Sequence, residues 1–248
     1  PLADQGELID KSIIAFIESV LFTTLTNVNF DADVHVELLK TSQQIKNELR
    51  NTAPDIHNTF TDYTLPDTKP EMLHDSVIAG IMYDKSLDPD IRSLRQTILY
   101  GLKGISAYGH QARELDYYSD QVDQFYITAL DSLTDDTLTV EELIRMTMRT
   151  GENAIEVMKV LDEANTNTYG NPSPHTVNVH LKKGPFIIVS GHDLKDLEML
   201  LQQTEGTGIN IYTHGEMLPS HGYDGLKKYP HLIGNFGGAW QDQQKQFD

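Results

Sequence analysis

Residues 186–212 constrain the fold of this chain most, because their pattern is that of a strand, a helix and a second strand. The apolar run 186–189 is typical of a strand buried on both faces of a parallel sheet. Asp193 is expected to cap the following helix, and Gly206 to end it. Residues 209–212 then alternate as a second strand. Because a helical crossover joins parallel strands, the segment predicts a βαβ unit.

One polar side chain follows each of these strands. His192 comes just after the first strand, and Glu216 just after the second. The carboxyl ends of parallel strands share one edge of a sheet, where open α/β folds bind their ligands. An imidazole and a carboxylate on that edge are a possible metal-ligand pair. The spacing alone also allows a simpler interpretation, in which His192 is a polar turn residue and Glu216 a solvated acid.

Three further histidines, His214, His221 and His231, lie in the same loops as Glu216. Clustered histidines can bind a metal directly, or hold other ligands in place by hydrogen bonds. None of the helical histidine spacings typical of zinc sites is present. The sequence therefore leaves both roles open for these three residues.

The first two-thirds of the chain has the periodicity of an all-helical bundle. From residue 4 to about 164, apolar side chains recur at helical spacing. Gly101 and Gly104 lie inside one long predicted helix, where close helix packing is the expected reason for them. Asp33 is expected to cap a helix that reaches about residue 50, with Leu39 facing inward. Thr139 and Glu142 form a capping-box pattern at the start of the last helix, in which Ile155 and Met158 are expected in the core.

Asn, Gly and Pro residues in the stretch 165–174 predict a domain boundary there. Residues 177–181 then alternate as a predicted strand. We expect a helical bundle domain at 1–164, a linker at 165–175 and a partial α/β domain at 176–248. The predicted fold class is α plus α/β, a helical bundle followed by the start of a Rossmann-like parallel domain.

Charge and composition narrow the choice of partners. The chain has 37 acidic and 19 basic residues and a net charge of −18, which argues against nucleic acid or an anionic membrane surface. No apolar run approaches the roughly 20 residues of a membrane span, and no signal peptide is recognisable. We therefore expect a cytoplasmic protein. The charge suits a small neutral substrate, although solubility alone would also explain it.

The sequence of the βαβ segment and of the residues that follow it closely resembles the hybrid cluster protein family, also called prismane proteins or hydroxylamine reductases. The stretch that carries the resemblance is GHDLKDLEMLLQQTEGTGINIYTHGEMLPSHGY. The resemblance is dense over residues 172–243. Shorter matches occur upstream in the same order, at 21–31, 99–112 and 168–179. In that family the histidine of GHDL and the glutamate of HGEM ligate a hybrid iron–sulfur–oxygen cluster. The resemblance therefore implies that His192 and Glu216 are iron ligands.

Function is also implied by the resemblance. Such proteins reduce hydroxylamine to ammonia and water, with nitric oxide reduction as related chemistry in nitrogen metabolism. A second iron–sulfur cluster receives electrons from an external reductase or a ferredoxin-like donor. Glu216 is the residue best suited to open a substrate site or donate a proton, because a carboxylate ligand can be displaced and protonated.

This sequence departs from the family pattern in having no cysteine. Iron–sulfur clusters are held mainly by thiolates. We therefore expect an internal fragment that lacks the cysteine motifs, binds no cluster by itself and is inactive alone. Two alternatives remain open at this point: a catalytically inert domain with a structural role, and a redox enzyme distantly related to carbon monoxide dehydrogenases.

Overall fold

A computed structural model describes residues 10–25, 29–52, 59–77, 80–81 and 84–247. The secondary structure in these ranges is α1 Lys11–Thr23, α2 Ala32–Thr52, α3 Thr59–Asp62, α4 Lys69–Ser76, α5 Pro89–Arg113, α6 Asp120–Ser132, α7 Val140–Tyr169, β1 Phe186–Ser190, α8 Leu194–Thr204, β2 Asn210–His214, α9 Asp224–Lys227, β3 Leu232–Asn235 and α10 Gln243–Gln246. Two 3₁₀ helices span Gly215–Gly222 and Trp240–Asp242. In the described part of the chain, no helix is long and apolar enough to cross a membrane.

The chain forms two compact units, and the predicted class of α plus α/β is confirmed. The helical unit contains Pro1–His110 and Tyr118–Met158, and the α/β unit contains Gln111–Tyr117 and Lys159–Asp248. Both α5 and α7 therefore contribute residues to each unit.

The core of the helical unit is built by α1, α5, α6 and α7, as expected of a helical bundle. Its buried side chains are Ile14, Ile98, Leu102, Ile105, Val122, Phe125, Tyr126, Ala129, Leu133, Leu143 and Val157. The capping box of α7 is confirmed, since Glu142 accepts hydrogen bonds from Thr139 N at 2.8 Å and Thr139 Oγ1 at 2.7 Å.

Some predicted details of the helical unit are wrong. Asp31, rather than Asp33, caps α2, because the Asp31 carboxylate accepts the Asp33 N–H at 2.8 Å. Ile155 and Met158, expected in the core, are exposed on α7. Leu39, expected to face inward from α2, is exposed as well. In α7 the buried positions Leu143 and Val157 define the inward face, and the apolar residues beside that face remain in solvent.

The two glycines of α5 give opposite predictions for alanine substitution. A Cβ on Gly101 would clash with the Thr150 methyl group on α7, whereas one on Gly104 would meet no atom within 4 Å. Because threonine is stiff at χ1, we expect Gly101→Ala to lower the free energy of unfolding by roughly 1–2 kcal/mol despite its better helix propensity.

Gly104→Ala is the matched control, and we expect it to raise the free energy of unfolding by up to about 1 kcal/mol. Urea denaturation followed by circular dichroism measures both changes. Equal effects of the two substitutions would contradict the assignment of Gly101 to a helix contact.

The α/β unit contains a three-stranded parallel sheet in the order β1-β2-β3. The predicted βαβ unit is confirmed, with α8 as its crossover. The Asp193 carboxylate caps α8 by accepting the N–H groups of Lys195 at 2.7 Å and Asp196 at 3.2 Å. The core of this unit is formed by Tyr169, Leu197, Leu201, Ile211, Met217, Leu226 and Tyr229.

Three expectations for the α/β unit need correction. Helix α7 continues to Tyr169 instead of ending near residue 164. Residues 177–181 form no strand, and Val179 and Leu181 are exposed. β1 is an edge strand with Phe186 exposed, whereas β2 is buried throughout. The apolar composition of β1 therefore indicated a strand but not its position in this sheet.

Candidate functional site

Strand pairing determines which side chains meet at the carboxyl edge of the sheet. The last residues paired between β1 and β2 are Ser190 and His214. They are 24 residues apart, and so are His192 and Glu216. The second pair therefore continues the register of the first, two positions beyond the end of each strand.

The predicted donors His192 and Glu216 are in contact. His192 Nε2 contacts Glu216 Oε2, and the two side chains are 45% and 59% exposed to solvent. An imidazole nitrogen and a carboxylate oxygen thus converge on one accessible point at the edge where parallel sheets bind ligands. The structure brings together the two residues that the sequence singled out, while their role as iron ligands stays a prediction.

A glycine lies between the two contacts in each chain segment. Gly191 separates Ser190 from His192 and has φ 140°, and Gly215 separates His214 from Glu216 and has φ 55°. L-residues rarely adopt such angles. The two glycines allow both segments to turn as they leave their strands.

The other histidines of these loops have separate hydrogen-bond partners. His214 contacts Ser190 and is fully buried. His231 contacts Leu201 O and Thr204 Oγ1, both at 3.0 Å. It directly precedes β3 and so lies at the edge formed by the amino ends of the strands, opposite the carboxyl edge. Among the residues that the structure describes, no group of three or more His, Asp or Glu side chains could hold a metal ion.

His221 belongs to a buried hydrogen-bond chain that joins the 3₁₀ helix 215–222 to β2 and β3. Thr213 Oγ1 lies 2.8 Å from His221 Nε2, and Asn235 Nδ2 donates to Thr213 Oγ1 at 3.0 Å. Burial, with a smaller contribution from His175, lowers the pKa of His221 to about 4. At neutral pH the imidazole is therefore uncharged, and its hydrogen bond with Thr213 fixes the far end of the helix that carries Glu216.

The lowered pKa of His221 predicts a pH-dependent stability. Between its ordinary pKa of 6.5 and the folded value of about 4, the unfolded state binds a proton that the folded state does not. The free energy of unfolding should therefore fall as the pH drops through this window, by roughly 3 kcal/mol in total. Urea denaturation at pH 7 and at pH 4.5 measures the difference.

Two variants separate this effect from other titrations. His221→Gln should unfold with a smaller dependence on pH, because glutamine does not titrate. His180→Gln, which replaces an exposed histidine in the same unit, should keep the full dependence. If both variants lost the same free energy of unfolding between pH 7 and pH 4.5, His221 would be ruled out as the source of the pH dependence.

Sequence reasoning missed several polar residues around this edge. Ser190, Thr213, Asn235 and Gln246 each hydrogen-bond a histidine or its partner. Ser190 could have been found from the 24-residue separation, which pairs it with His214 as it pairs His192 with Glu216. Gln246 gave no signal, because its approach depends on the fold of the segment after β3.

The donors present fit part of an iron site. Iron accepts both imidazole nitrogen and carboxylate oxygen, and His192 and Glu216 supply one of each. The thiolates that hold iron–sulfur clusters have no counterpart in this cysteine-free sequence. The chain can therefore supply two ligands to a cluster, and the remaining ligands would have to come from elsewhere.

Comparison with known proteins gives consistent results. Residues 2–248 match the family described as Prismane/CO dehydrogenase family. A hydroxylamine reductase of Bacteroides thetaiotaomicron is 45% identical over 233 residues, which cover 94% of this chain and 42% of the relative. One of Desulfovibrio desulfuricans is 41% identical over 249 residues, covering all of this chain and 45% of the relative. This chain thus spans less than half the length of these relatives.

Proposed function

The chain belongs to the Prismane/CO dehydrogenase family, and from this premise we propose that the complete protein is a hydroxylamine reductase in which His192 and Glu216 ligate iron. The observation that carries the proposal is the contact between His192 Nε2 and Glu216 Oε2 at the carboxyl edge of the sheet. The relatives named hydroxylamine reductase favour this activity over carbon monoxide chemistry.

The reaction is a two-electron reduction that cleaves an N–O bond. Hydroxylamine takes up two electrons and two protons, and yields one ammonia and one water. A hybrid iron–sulfur–oxygen cluster, when bound, would supply the Lewis acid and the electrons. Nitric oxide reduction is the related activity that we propose beside it.

His192 and Glu216 have different proposed roles in this reaction. His192 would hold iron through the unprotonated Nε2 of a neutral imidazole, and this nitrogen has no proton to donate. Glu216 would hold iron through carboxylate oxygen and, when protonated, donate the proton that lets the leaving hydroxide depart as water. The 59% exposure of the Glu216 side chain suits this role, because a proton donor must be recharged from solvent.

The redox partners and the location of the complete protein follow from the same proposal. A second iron–sulfur cluster, with cysteine ligands outside these residues, would pass electrons from an external reductase or ferredoxin-like donor. We place the protein in the cytoplasm.

We also propose the division into a helical domain at 1–164, a linker at 165–175 and an α/β domain at 176–248, although α7 extends into that linker.

The direct test is an assay of the complete protein under anaerobic conditions. With a reduced dye as electron donor, hydroxylamine should be consumed with one ammonia formed for every two electrons. Iron, acid-labile sulfide and nickel are measured on the same sample. A protein with full iron and sulfide that forms no ammonia would contradict the proposal, and stoichiometric nickel would favour the carbon monoxide dehydrogenase alternative.

A further inference from the structure

His214 is a buried polar residue at the carboxyl edge of the sheet. Its side chain is fully inaccessible, and both ring nitrogens have partners. Nδ1 lies 3.0 Å from Ser190 Oγ, and Nε2 lies 3.2 Å from Gln246 Oε1. In the tautomer that satisfies all three groups, the serine hydroxyl donates to Nδ1 and the Nε2 proton is donated to the amide oxygen. Both ring nitrogens are thus hydrogen-bonded.

The segments that leave all three strands meet at this imidazole. Ser190 ends β1, His214 ends β2, and Phe236 directly follows β3. The His214 ring centroid is 6.4 Å from that of Phe236 and 5.0 Å from that of Phe247, which follows α10. A Cβ on Gly238 would clash with the Gln246 amide. Glycine at this position therefore lets Gln246 approach the histidine.

The contact between His214 and Ser190 lies next to the turns that carry the two proposed ligands. The bond between Ser190 and His214 lies in the same register as the contact between His192 and Glu216, and one glycine separates the two in each segment. Fixing the distance between Ser190 and His214 therefore fixes the starting points of both ligand-bearing turns.

We propose that His214 is a positioning residue, which through Ser190 and Gln246 holds His192 and Glu216 at the separation that their shared iron site requires. This inference rests on the proposed function, because it assigns His214 a task only if the other two side chains bind iron. Groups that hold ligands in place typically affect metal affinity or activity by about 10–100-fold. A shift of about 1 Å in a reacting group can cost a similar factor.

Substitutions in the complete protein separate the two hydrogen bonds of His214. Asparagine places its amide near the position of Nδ1, so His214→Asn should keep the contact with Ser190. His214→Leu keeps the bulk and removes both bonds. We expect His214→Leu to lower hydroxylamine turnover roughly 100-fold and to change the electron paramagnetic resonance signature of the hybrid cluster. We expect His214→Asn to stay within about tenfold of the unsubstituted protein.

His231→Leu is the matched control, because His231 is also hydrogen-bonded in this unit but lies at the opposite edge of the sheet. It should leave the cluster signature and turnover unchanged. Ser190→Ala removes a single hydroxyl and should reproduce part of the His214→Leu effect, with recovery in Ser190→Thr. This pair keeps the test decisive if His214→Leu does not fold.

The outcomes distinguish this inference from the proposed function. An unchanged signature and turnover in His214→Leu or, where that variant does not fold, in Ser190→Ala would overturn the positioning role. So would an equal change in His231→Leu, since it would indicate general destabilisation. If His192→Ala and Glu216→Ala also leave iron and turnover unchanged, the proposed iron site itself fails.

Discussion

His192→Ala in the complete protein should remove most of the hybrid-cluster iron and lower hydroxylamine turnover by at least roughly 100-fold. The reason is that alanine deletes one of the two metal-binding atoms that converge at the sheet edge. Loss of a direct ligand should exceed the 10–100-fold effect typical of residues that only support a ligand. Iron per chain, acid-labile sulfide and the cluster's spectrum measure the change.

The proposed second iron–sulfur cluster would provide an internal reference for this experiment, because this cysteine-free chain would supply none of its thiolate ligands. Its signal should persist in His192→Ala. His180→Ala replaces an exposed histidine of the same unit and should leave both clusters intact. Full hybrid-cluster occupancy in His192→Ala would show that the family motif does not operate at this position.

Glu216→Ala should change the hybrid-cluster spectrum and lower hydroxylamine reduction by roughly 100-fold or more, while the second cluster remains. Two losses combine here, the oxygen ligand and the proposed proton donor, and general acid catalysis alone typically contributes 10²–10⁴-fold. Anaerobic turnover with ammonia quantification measures the effect.

Glu216→Gln separates these two contributions. Glutamine keeps the length and an oxygen donor but cannot act as the acid, so iron should be better retained than in Glu216→Ala while turnover stays low. Glu205→Gln, an exposed glutamate in the turn after α8, is the matched control. Normal turnover in Glu216→Ala would remove this residue from the site.

Local sequence patterns predicted the elements that matter for the site. The apolar run before His192, the Asp193 cap and the alternating run before Glu216 each depend on nearby residues, and all three are present in the structure. The parallel pairing followed from the helical crossover. This explains why the approach of His192 to Glu216 could be anticipated.

Features that depend on distant contacts could not be predicted in this way. Residues 177–181 alternate like a strand, but their contact with β3 is a backbone hydrogen bond from Asn235 N to Asn178 O at 2.9 Å and not a strand ladder. β1 lies at the sheet edge although its composition suits a central strand. The contact of Gln246 with His214 depends on how the chain folds after β3. Ile155 was assigned to the core because helical periodicity gives the direction of a face only approximately.

The shared register of the two contacts has a consequence for how such a site tolerates change over evolution. The turn at 205–208 between α8 and β2 is exposed, and no other atom lies within 4 Å of the Cβ positions of Gly206 and Gly208, although the positive φ of both residues favours glycine there. An insertion there would alter the spacing between the GHDL and HGEM motifs but leave the strand pairing, and hence the meeting of imidazole and carboxylate, in place. A one-residue slip of β1 against β2 would send the two side chains to opposite faces. We therefore expect the site to depend on the pairing of β1 with β2 more than on the number of residues between the two motifs.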